Sequence, residues 1–303
     1  MIPVAAPPRV SVLVVSLNGR ERLAMPLGAL RACEPPPWEV IVVDNGSTDG
    51  TSEFVRAEFP EARLVRSPRN LGFAGGNNLA MMNARGEVLI LLNDDTVPDA
   101  GFLAPLLEAF AADARLGAAG ARLVYPDGRT LQHLGGFVEP NGLTKHLAHG
   151  EADDAAAAHR VVEVEYATGA CLALRREAVR ATGLLDEGFW PIYFEEVDYC
   201  RRLRAGGWRV AVVTGSRVVH HESQTTGKMS AGFLDKYHRN RLRYLLKAER
   251  TARGRLRALR AEARWLAGHT PWDSLWPCAK AYAWAAIQWR DARRAALLEE
   301  AAR

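Results

Sequence analysis

Residues 88–99, VLILLNDDTVPD, join an apolar run to three consecutive oxygen-bearing side chains, Asn93, Asp94 and Asp95. Two adjacent carboxylates repel each other, and a hard divalent cation such as Mg²⁺ or Mn²⁺ is the usual way to hold them together. The run from Val88 to Leu92 has the length of a strand buried on both faces. Thr96 and Pro98 are expected to stop it, which puts the three polar side chains at its carboxyl end, where open α/β sheets bind ligands. The alternative is a polar strand end turning into a solvated loop, and the triplet alone does not separate the two. Gly72, Gly75 and Gly76 form a second feature, a glycine loop before a helix whose N-terminus could hold an anion. Its spacing is neither a dinucleotide fingerprint nor a P-loop, and a tight turn explains it as well. His133, His146, His149 and His159 are irregularly spaced and do not read as a metal site.

The elements that would carry these residues alternate. Val10–Val15 is a β-branched run ending in Ser16-Leu17-Asn18-Gly19. Glu21 to Cys33 has helical spacing until Pro35-Pro36-Pro37 breaks it. Val40–Val43 runs into Asp44-Asn45-Gly46-Ser47-Thr48-Asp49-Gly50, and a helix over Thr51–Phe59 is capped by Asp49 or Thr51. Arg63–Arg66 is a third strand, followed by a loop from Arg69 to Asn78 that leads into a helix through Leu79 and Met82. This strand–helix alternation predicts a mostly parallel sheet with helices on both faces. The polar residues at strand ends should then converge on one edge. Further on, Leu103–Phe110 reads as a helix and Gly117–Tyr125 as a core strand. Residues 129–160, with the alanine run Ala155–Ala158, read as a variable loop near the site.

Composition is that of a soluble globular chain: 303 residues, 48% apolar and 24% charged, enough for a large α/β domain with an appendage. The four cysteines show no CxxC spacing, which argues against a zinc site or a disulfide framework and fits a reducing cytoplasm. The start, MIPVAAPPRV, is poor in apolar residues and rich in proline for a signal peptide, and no run approaches the ~18 apolar residues of a membrane span. The net charge of +4 is uneven: residues 251–303 hold ten Lys/Arg against five Asp/Glu, and the first 250 hold 29 against 30. Basicity therefore belongs to the tail, and nothing points to nucleic acid as a partner.

Six segments taken in order, VDNGSTDGT, RNLGFAGGNN, LLNDDT, TGACLALRREA, FEEVDYCRR and VVHHESQTTG, resemble a family-2 glycosyltransferase of the GT-A fold. The chain is most similar to the bacterial rhamnosyltransferase-like members that build surface polysaccharides. The resemblance spans roughly residues 9–247 and implies a GT-A domain over 1–247. Its nucleotide-sugar half would be about 1–100 and its acceptor half about 101–247, with a C-terminal helical extension over 248–303.

The resemblance also implies roles. Ser16, Asn18 and Asp44 match positions that hold the donor base, Arg69 and Asn70 match base- or phosphate-side contacts, and Asn77 is similar to a residue near the ribose and diphosphate. Asn93-Asp94-Asp95 stands where the family has its DxD-type motif; the metal, Mg²⁺ or Mn²⁺, falls mainly on Asp95, with Asp94 as a donor-side contact. Glu196 falls at the catalytic base, commonly Asp in an ED pair, and Glu195 beside it is the alternative. His220 aligns with a histidine that completes the metal shell in some relatives, and a capped structural role is the alternative. A cation on Asp95 and His220 would neutralise charge on a leaving diphosphate. A carboxylate at Glu196 would take the proton of the attacking sugar hydroxyl, its pKa raised by burial and lowered by the metal and arginines. One base and no nucleophile suit a single displacement with inversion. Trp190 and Tyr193 are plausible walls for the acceptor. The expected donor is a dTDP- or UDP-sugar, with rhamnose the first choice, and the acceptor is a glycan or lipid-linked sugar. A module that binds nucleotide-sugars without turnover is the competing reading.

Lys236 to Arg241 is similar to the YxxRN segment of those relatives, whose arginines could reach the donor diphosphate; a solvated helix face is the alternative. From Leu242 the chain reads as long helix, with Arg253, Arg257, Arg260 and Arg264 on one stripe and Leu256, Leu259, Ala263 and Leu266 on another. Trp272, Trp276, Trp284 and Trp289 follow. Basic residues with tryptophans at helical spacing suit a helix in a membrane interface, here an anionic surface met by residues 253–294 at the inner face of the plasma membrane. A helical hairpin packed on the catalytic domain or on a second subunit accounts for the pattern equally well.

Overall fold

The computed structural model describes residues 8–153, 160–221, 231–268 and 275–287. The alanine run, His159, Thr225-Thr226-Gly227, Trp272 and Trp289 lie outside them. The first half builds β1 (Val10–Ser16), α1 (Ala24–Arg31), β2 (Glu39–Asp44), α2 (Thr51–Glu58), β3 (Arg63–Arg66), α3 (Gly72–Asn83) and β4 (Val88–Asn93). The second half adds β5 (Thr96–Pro98), α4 (Leu103–Ala112), β6 (Leu116–Val124), β7 (Leu131–His133), β8 (Gly136–Val138), β9 (Thr144–His146), β10 (Val161–Glu163) and β11 (Cys171–Arg175). It continues with α5 (Arg176–Thr182), α6 (Glu195–Ala205), β12 (Arg209–His220), α7 (Ala231–Ala248) and α8 (Ala252–Gly268).

The main sheet runs β10-β12-β6-β11-β4-β1-β2-β3, with β5 on β12 and β7 on β6. Pairing is parallel through β3-β2-β1-β4 and between β6 and β12, while β11 lies antiparallel to both of its neighbours. The parallel half thus carries the strand–helix alternation, and the second half is mixed. Strand residues alternate between two cores as the period of two requires. Val12, Val14, Val42 and Ile90 pack under Leu27 of α1, Val55 of α2 and Leu106 of α4. Leu13, Ile41, Val43 and Leu89 pack with Met81 of α3, Val179 of α5 and Leu203 of α6.

Four local readings change. Residues 129–160, expected to be a loop, contain β7, β8 and β9. The glycine-rich segment is helix from Gly72 onward, with Gly75 and Gly76 inside α3. A Cβ on Gly76 would stand 2.5 Å from Val15 Cγ1, so glycine there lets α3 sit close on β1. Thr96 and Pro98 do not end the chain's extended course: after a turn at Asp94-Asp95 they open β5, which pairs antiparallel with the end of β12 and sets Thr96 opposite His220. The tail is two helices, α7 and α8, broken at residues 249–251, and residues 275–287 are helical again.

On α8 the contact face is Ala258, Glu262 and Trp265, whereas Leu256 (48% exposed) and Leu259 (67%) face outward. Arg241 of α7, fully buried, donates to both carboxylate oxygens of Glu262 at 2.6 and 2.7 Å. Asn141 and Tyr282 donate to the same carboxylate. The two helices are therefore joined by a buried ion pair, because a guanidinium with no solvent needs such a partner, and Asn141 between β8 and β9, which donates to Glu262 and accepts from Arg241, ties that pair to the sheet domain.

Candidate active site

The carboxyl ends of β2, β1 and β4 lie side by side, with Ser16 in register with Asp44 and Val15 with Asn93. The loops above them are closed by short polar contacts. Asn18, in the left-handed region at φ 49°, donates its N–H to Ser47 Oγ and accepts from the Thr48 N–H, both at 2.9 Å. Asp44, 1% exposed, accepts from the Ser47 N–H at 2.8 Å and from Ser52 Oγ. Burial alone would raise its pKa, but those donors and Arg66 hold the carboxyl below the usual range. Asn70 Oδ1 accepts from the Gly72 N–H and from Asn45, fastening the entrance to α3.

A cleft of about 670 Å³ opens at this edge. Its wall includes Asn70, Asn93, Asp94, Asp95, Glu195, Glu196 and His220, so the residues expected to hold a metal and to act as base share one space. Ser16 lies beneath the wall and donates to Asp94 Oδ2 at 2.6 Å. Asn18 and Asp44 build the loops beside it, Arg69 is on the surface, and Asn77 turns its amide to the Phe73 carbonyl one helical turn back.

Asp95 and His220 are brought together by the β5–β12 pairing, with the His221 N–H donating to the Asp95 carbonyl at 2.9 Å. Asp95 Oδ1 stands 3.2 Å from His220 Nε2, and it is buried without a hydrogen-bond donor. Burial acts to raise the Asp95 pKa, while a charged His220, the Asp95 N–H and Arg22 together bring the metal-free carboxyl below its usual range. A carboxylate oxygen with no hydrogen-bond donor beside an imidazole nitrogen is a donor set that suits a divalent cation. Among the described residues no third His, Cys, Asp or Glu joins them, which leaves the remaining coordination positions to substrate oxygens and water. Asp94 is engaged otherwise: Arg22 donates to it at 3.0 Å, and burial pushes its carboxyl up despite that partner.

Glu195 and Glu196 open α6, and the backbone that delivers them is unusual. Tyr193 and Phe194 both adopt positive φ, 84° and 77°, a conformation side-chain-bearing residues hold only when their surroundings over-determine it. Helix α7 supplies that constraint. Asn240, fully buried, donates to the Ile192 and Tyr193 carbonyls at 2.9 and 3.1 Å and also reaches the Phe189 carbonyl. The Phe194 ring packs between Tyr237 and Tyr244. Below, Lys247 Nζ bridges Asp186 at 2.7 Å and Asp198 at 3.0 Å, tying α7 to α6.

Burial pushes Glu196 up to about 7. Burial, with the charge of Glu196, pushes Glu195 well above the carboxylate range, and neither oxygen of Glu195 has a hydrogen-bond partner. Both carboxyls are thus pushed up, and Glu196, the more exposed of the two, titrates near neutrality. Trp190, 52% exposed, and Tyr193 stand on the same wall, as does Arg239, whose guanidinium donates to the Trp190 carbonyl.

Three residues escaped the sequence reading: Arg22, Gln132, whose amide meets the His220 ring at 2.6 Å, and Asn240 in its supporting role. Arg22 sat in a segment read only for helical period. Gln132 lies in the irregular 129–160 stretch, where no spacing marks it. Asn240 was visible within the YxxRN resemblance, though its three carbonyl partners were not.

Comparison with known proteins bears on the family and the fold. The chain is 28% identical over 265 residues to N-acetylglucosaminyl-diphospho-decaprenol L-rhamnosyltransferase of Mycobacterium tuberculosis, covering 79% of this chain and 84% of that one. It is 33% identical over 198 residues to uncharacterized protein y4gI of Sinorhizobium fredii, covering 63% of this chain and only 22% of that protein's length. Its fold matches the mannosyltransferase PcManGT from Pyrobaculum calidifontis, solved with GDP-Man and Mn²⁺, at a TM-score of 0.60 and 22% identity over 93% of this chain and 76% of that one. Since the family model for glycosyl transferase family 2 spans residues 11–183, from β1 to the end of α5, the chain belongs to that family and is a family-2 glycosyltransferase.

Proposed function

We propose that this glycosyltransferase moves a sugar, rhamnose by first choice, from a nucleoside-diphosphate donor to a hydroxyl of a glycan or lipid-linked acceptor, with inversion. One observation carries the reading: the Asp95–His220 pair and the Glu196 carboxylate line one cleft at the strand carboxyl ends. The donor base and ribose lie over the ends of β1 and β2, against Asn18, Arg69 and Asn70. Ser16 and Asp44 shape that surface from below, with Asn77 and Asp94 on its diphosphate side. Asp95 and His220 hold Mg²⁺ or Mn²⁺, which when bound supplies positive charge to the leaving diphosphate. Glu196 accepts the proton of the acceptor hydroxyl, whose oxygen bonds to the anomeric carbon as the bond to phosphate breaks on the opposite face. Glu195 is pushed by burial toward its protonated form, which limits the negative charge beside Glu196. Trp190 and Tyr193 offer faces for a sugar ring.

The Mycobacterium relative's name describes a lipid-linked acceptor, and PcManGT's structure was solved with Mn²⁺. Both support the reading. A panel of dTDP- and UDP-sugars, each with Mg²⁺ or Mn²⁺, tests it through donor hydrolysis and transfer. Turnover lost in Asp95→Ala and Glu196→Gln is the expected result. Donor binding without turnover by the parent protein under every condition would instead make it a binding module.

We further propose a cytoplasmic protein that touches the inner leaflet of the plasma membrane peripherally through its tail. No helix among the described residues is long and apolar enough to cross a membrane. Leu256, Leu259, Leu275, Trp276 (68%) and Ile287 (75%) are exposed, interleaved with exposed Arg253, Arg260 and Arg264. That combination favours an anionic lipid surface. Full-length protein should co-sediment with phosphatidylglycerol vesicles and lose that property in a Leu259→Ser, Trp276→Ser double variant. Equal sedimentation of the two would remove the idea. Truncation at residue 250 is a poor test, because it strands the buried Arg241.

A further inference from the structure

Gln132 stands in the middle of β7, 4% exposed, in a segment with no sequence signal, and both ends of its amide reach His220. Its Oε1 lies 2.6 Å from His220 Nδ1, and its Nε2 donates to the His220 main-chain carbonyl at 3.4 Å. The two contacts fix each other's sense. A carbonyl oxygen only accepts, so the amide nitrogen must face it, and the amide oxygen must then face the ring. An amide oxygen also only accepts, so Nδ1 carries the hydrogen. In the neutral ring Nε2 then holds a lone pair, and it points at Asp95 Oδ1, 3.2 Å away, a buried oxygen with no hydrogen-bond donor.

This is the arrangement metal-ligating histidines adopt: one ring nitrogen donates to a supporting acceptor so that the other is presented to the cation. Packing does not account for it, because an aliphatic side chain would fill the same volume without burying an amide. We propose that Gln132 is the positioning residue of the metal site. It locks the His220 tautomer and ring plane so that Nε2 and Asp95 face a common point. The proposal rests on the Asp95–His220 reading above and extends it to a residue 88 positions away in the chain.

The test uses full-length protein and Mn²⁺ alone, with bound and free ion separated by electron paramagnetic resonance and no donor present. Gln132→Met keeps the volume and removes the acceptor, and it should weaken Mn²⁺ binding by about 10- to 100-fold. Gln132→Glu keeps an acceptor at Nδ1 and loses the longer 3.4 Å bond to the His220 carbonyl, so it should bind Mn²⁺ much more tightly than the Met variant. Long-range ¹⁵N–¹H correlations in metal-free protein should place the His220 hydrogen on Nδ1 in the parent and lose that preference in Gln132→Met. Parent-like Mn²⁺ affinity in Gln132→Met, with binding abolished in His220→Ala, would overturn the positioning role and leave the metal site standing. Equal loss in the Met and Glu variants would also overturn it, by reducing Gln132 to packing. If Gln132→Met does not fold, the Glu variant decides alone: retained binding supports the role and lost binding ends it. Unchanged Mn²⁺ binding in both Asp95→Ala and His220→Ala would remove the site itself, and the proposal with it.

Discussion

The two walls of the cleft are built on different principles. The donor edge is a row of parallel strand ends whose loops are closed by contacts among Asn18, Asp44, Ser47, Ser52 and Asn70, most of them one strand or one turn apart. The wall that carries the proposed base instead holds two residues in the left-handed region and drives a pair of glutamates into burial. It is held by buried polar groups of α7, which lies 40 or more residues further along the chain. The lesson is a division of labour. The edge proposed to bind the donor is made from local geometry, and the wall proposed to carry the base is strained and braced from outside.

That contrast can be broken most directly at Glu196. Glu196→Gln keeps the shape and removes the base, and kcat should fall by about 10²- to 10⁴-fold with donor affinity unchanged in a binding assay. The parent's kcat/KM should decline as pH falls below about 7, where the carboxylate takes its proton. Near-parental kcat in this variant would move the base elsewhere.

Next in size is the bracing. Glu262→Ala leaves the Arg241 guanidinium buried without its carboxylate, and chemical denaturation should report a loss of about 3–5 kcal/mol. If the loss is instead within a few tenths, the tail is not a structural part of this wall.

The strain itself has a pH signature. Glu195 has a folded pKa raised above its unfolded value. The stability it contributes is therefore present below about pH 4.3 and is lost as pH rises toward the folded pKa. Glu195→Gln has no such dependence, so its thermal midpoint should gain on the parent's between pH 5 and 8. A constant difference across that range would mean that Glu195 is not held neutral.

The smallest effects belong to the donor edge. Gly76→Ala places a methyl 2.5 Å from Val15 Cγ1 and should cost about 1–3 kcal/mol by overpacking. Asn18→Ala removes one cap from a loop that has others and should cost about 1 kcal/mol. A collapse of the fold on either substitution would reverse the contrast between the walls.

The sequence alone determined a good deal of this protein. The β-branched runs ending in polar residues, at regular intervals separated by helical spacing, required a parallel sheet with its polar groups on one edge. The ordered segments from VDNGSTDGT to VVHHESQTTG carried the family. Those signals are local: period, propensity and short motifs are complete within a dozen residues. Whether the glycines of α3 serve a phosphate or a close helix contact depends on Val15, which belongs to another element. Which of Glu195 and Glu196 titrates near neutrality depends on how deeply each is buried. The outward turn of Leu256 and Leu259 follows from Arg241 and Glu262 taking the inner face. The Gln132–His220 contact joins residues 88 apart with no pattern in between. Burial, tautomer and helix facing are set by neighbours distant in the chain, and only the folded structure brings those neighbours together.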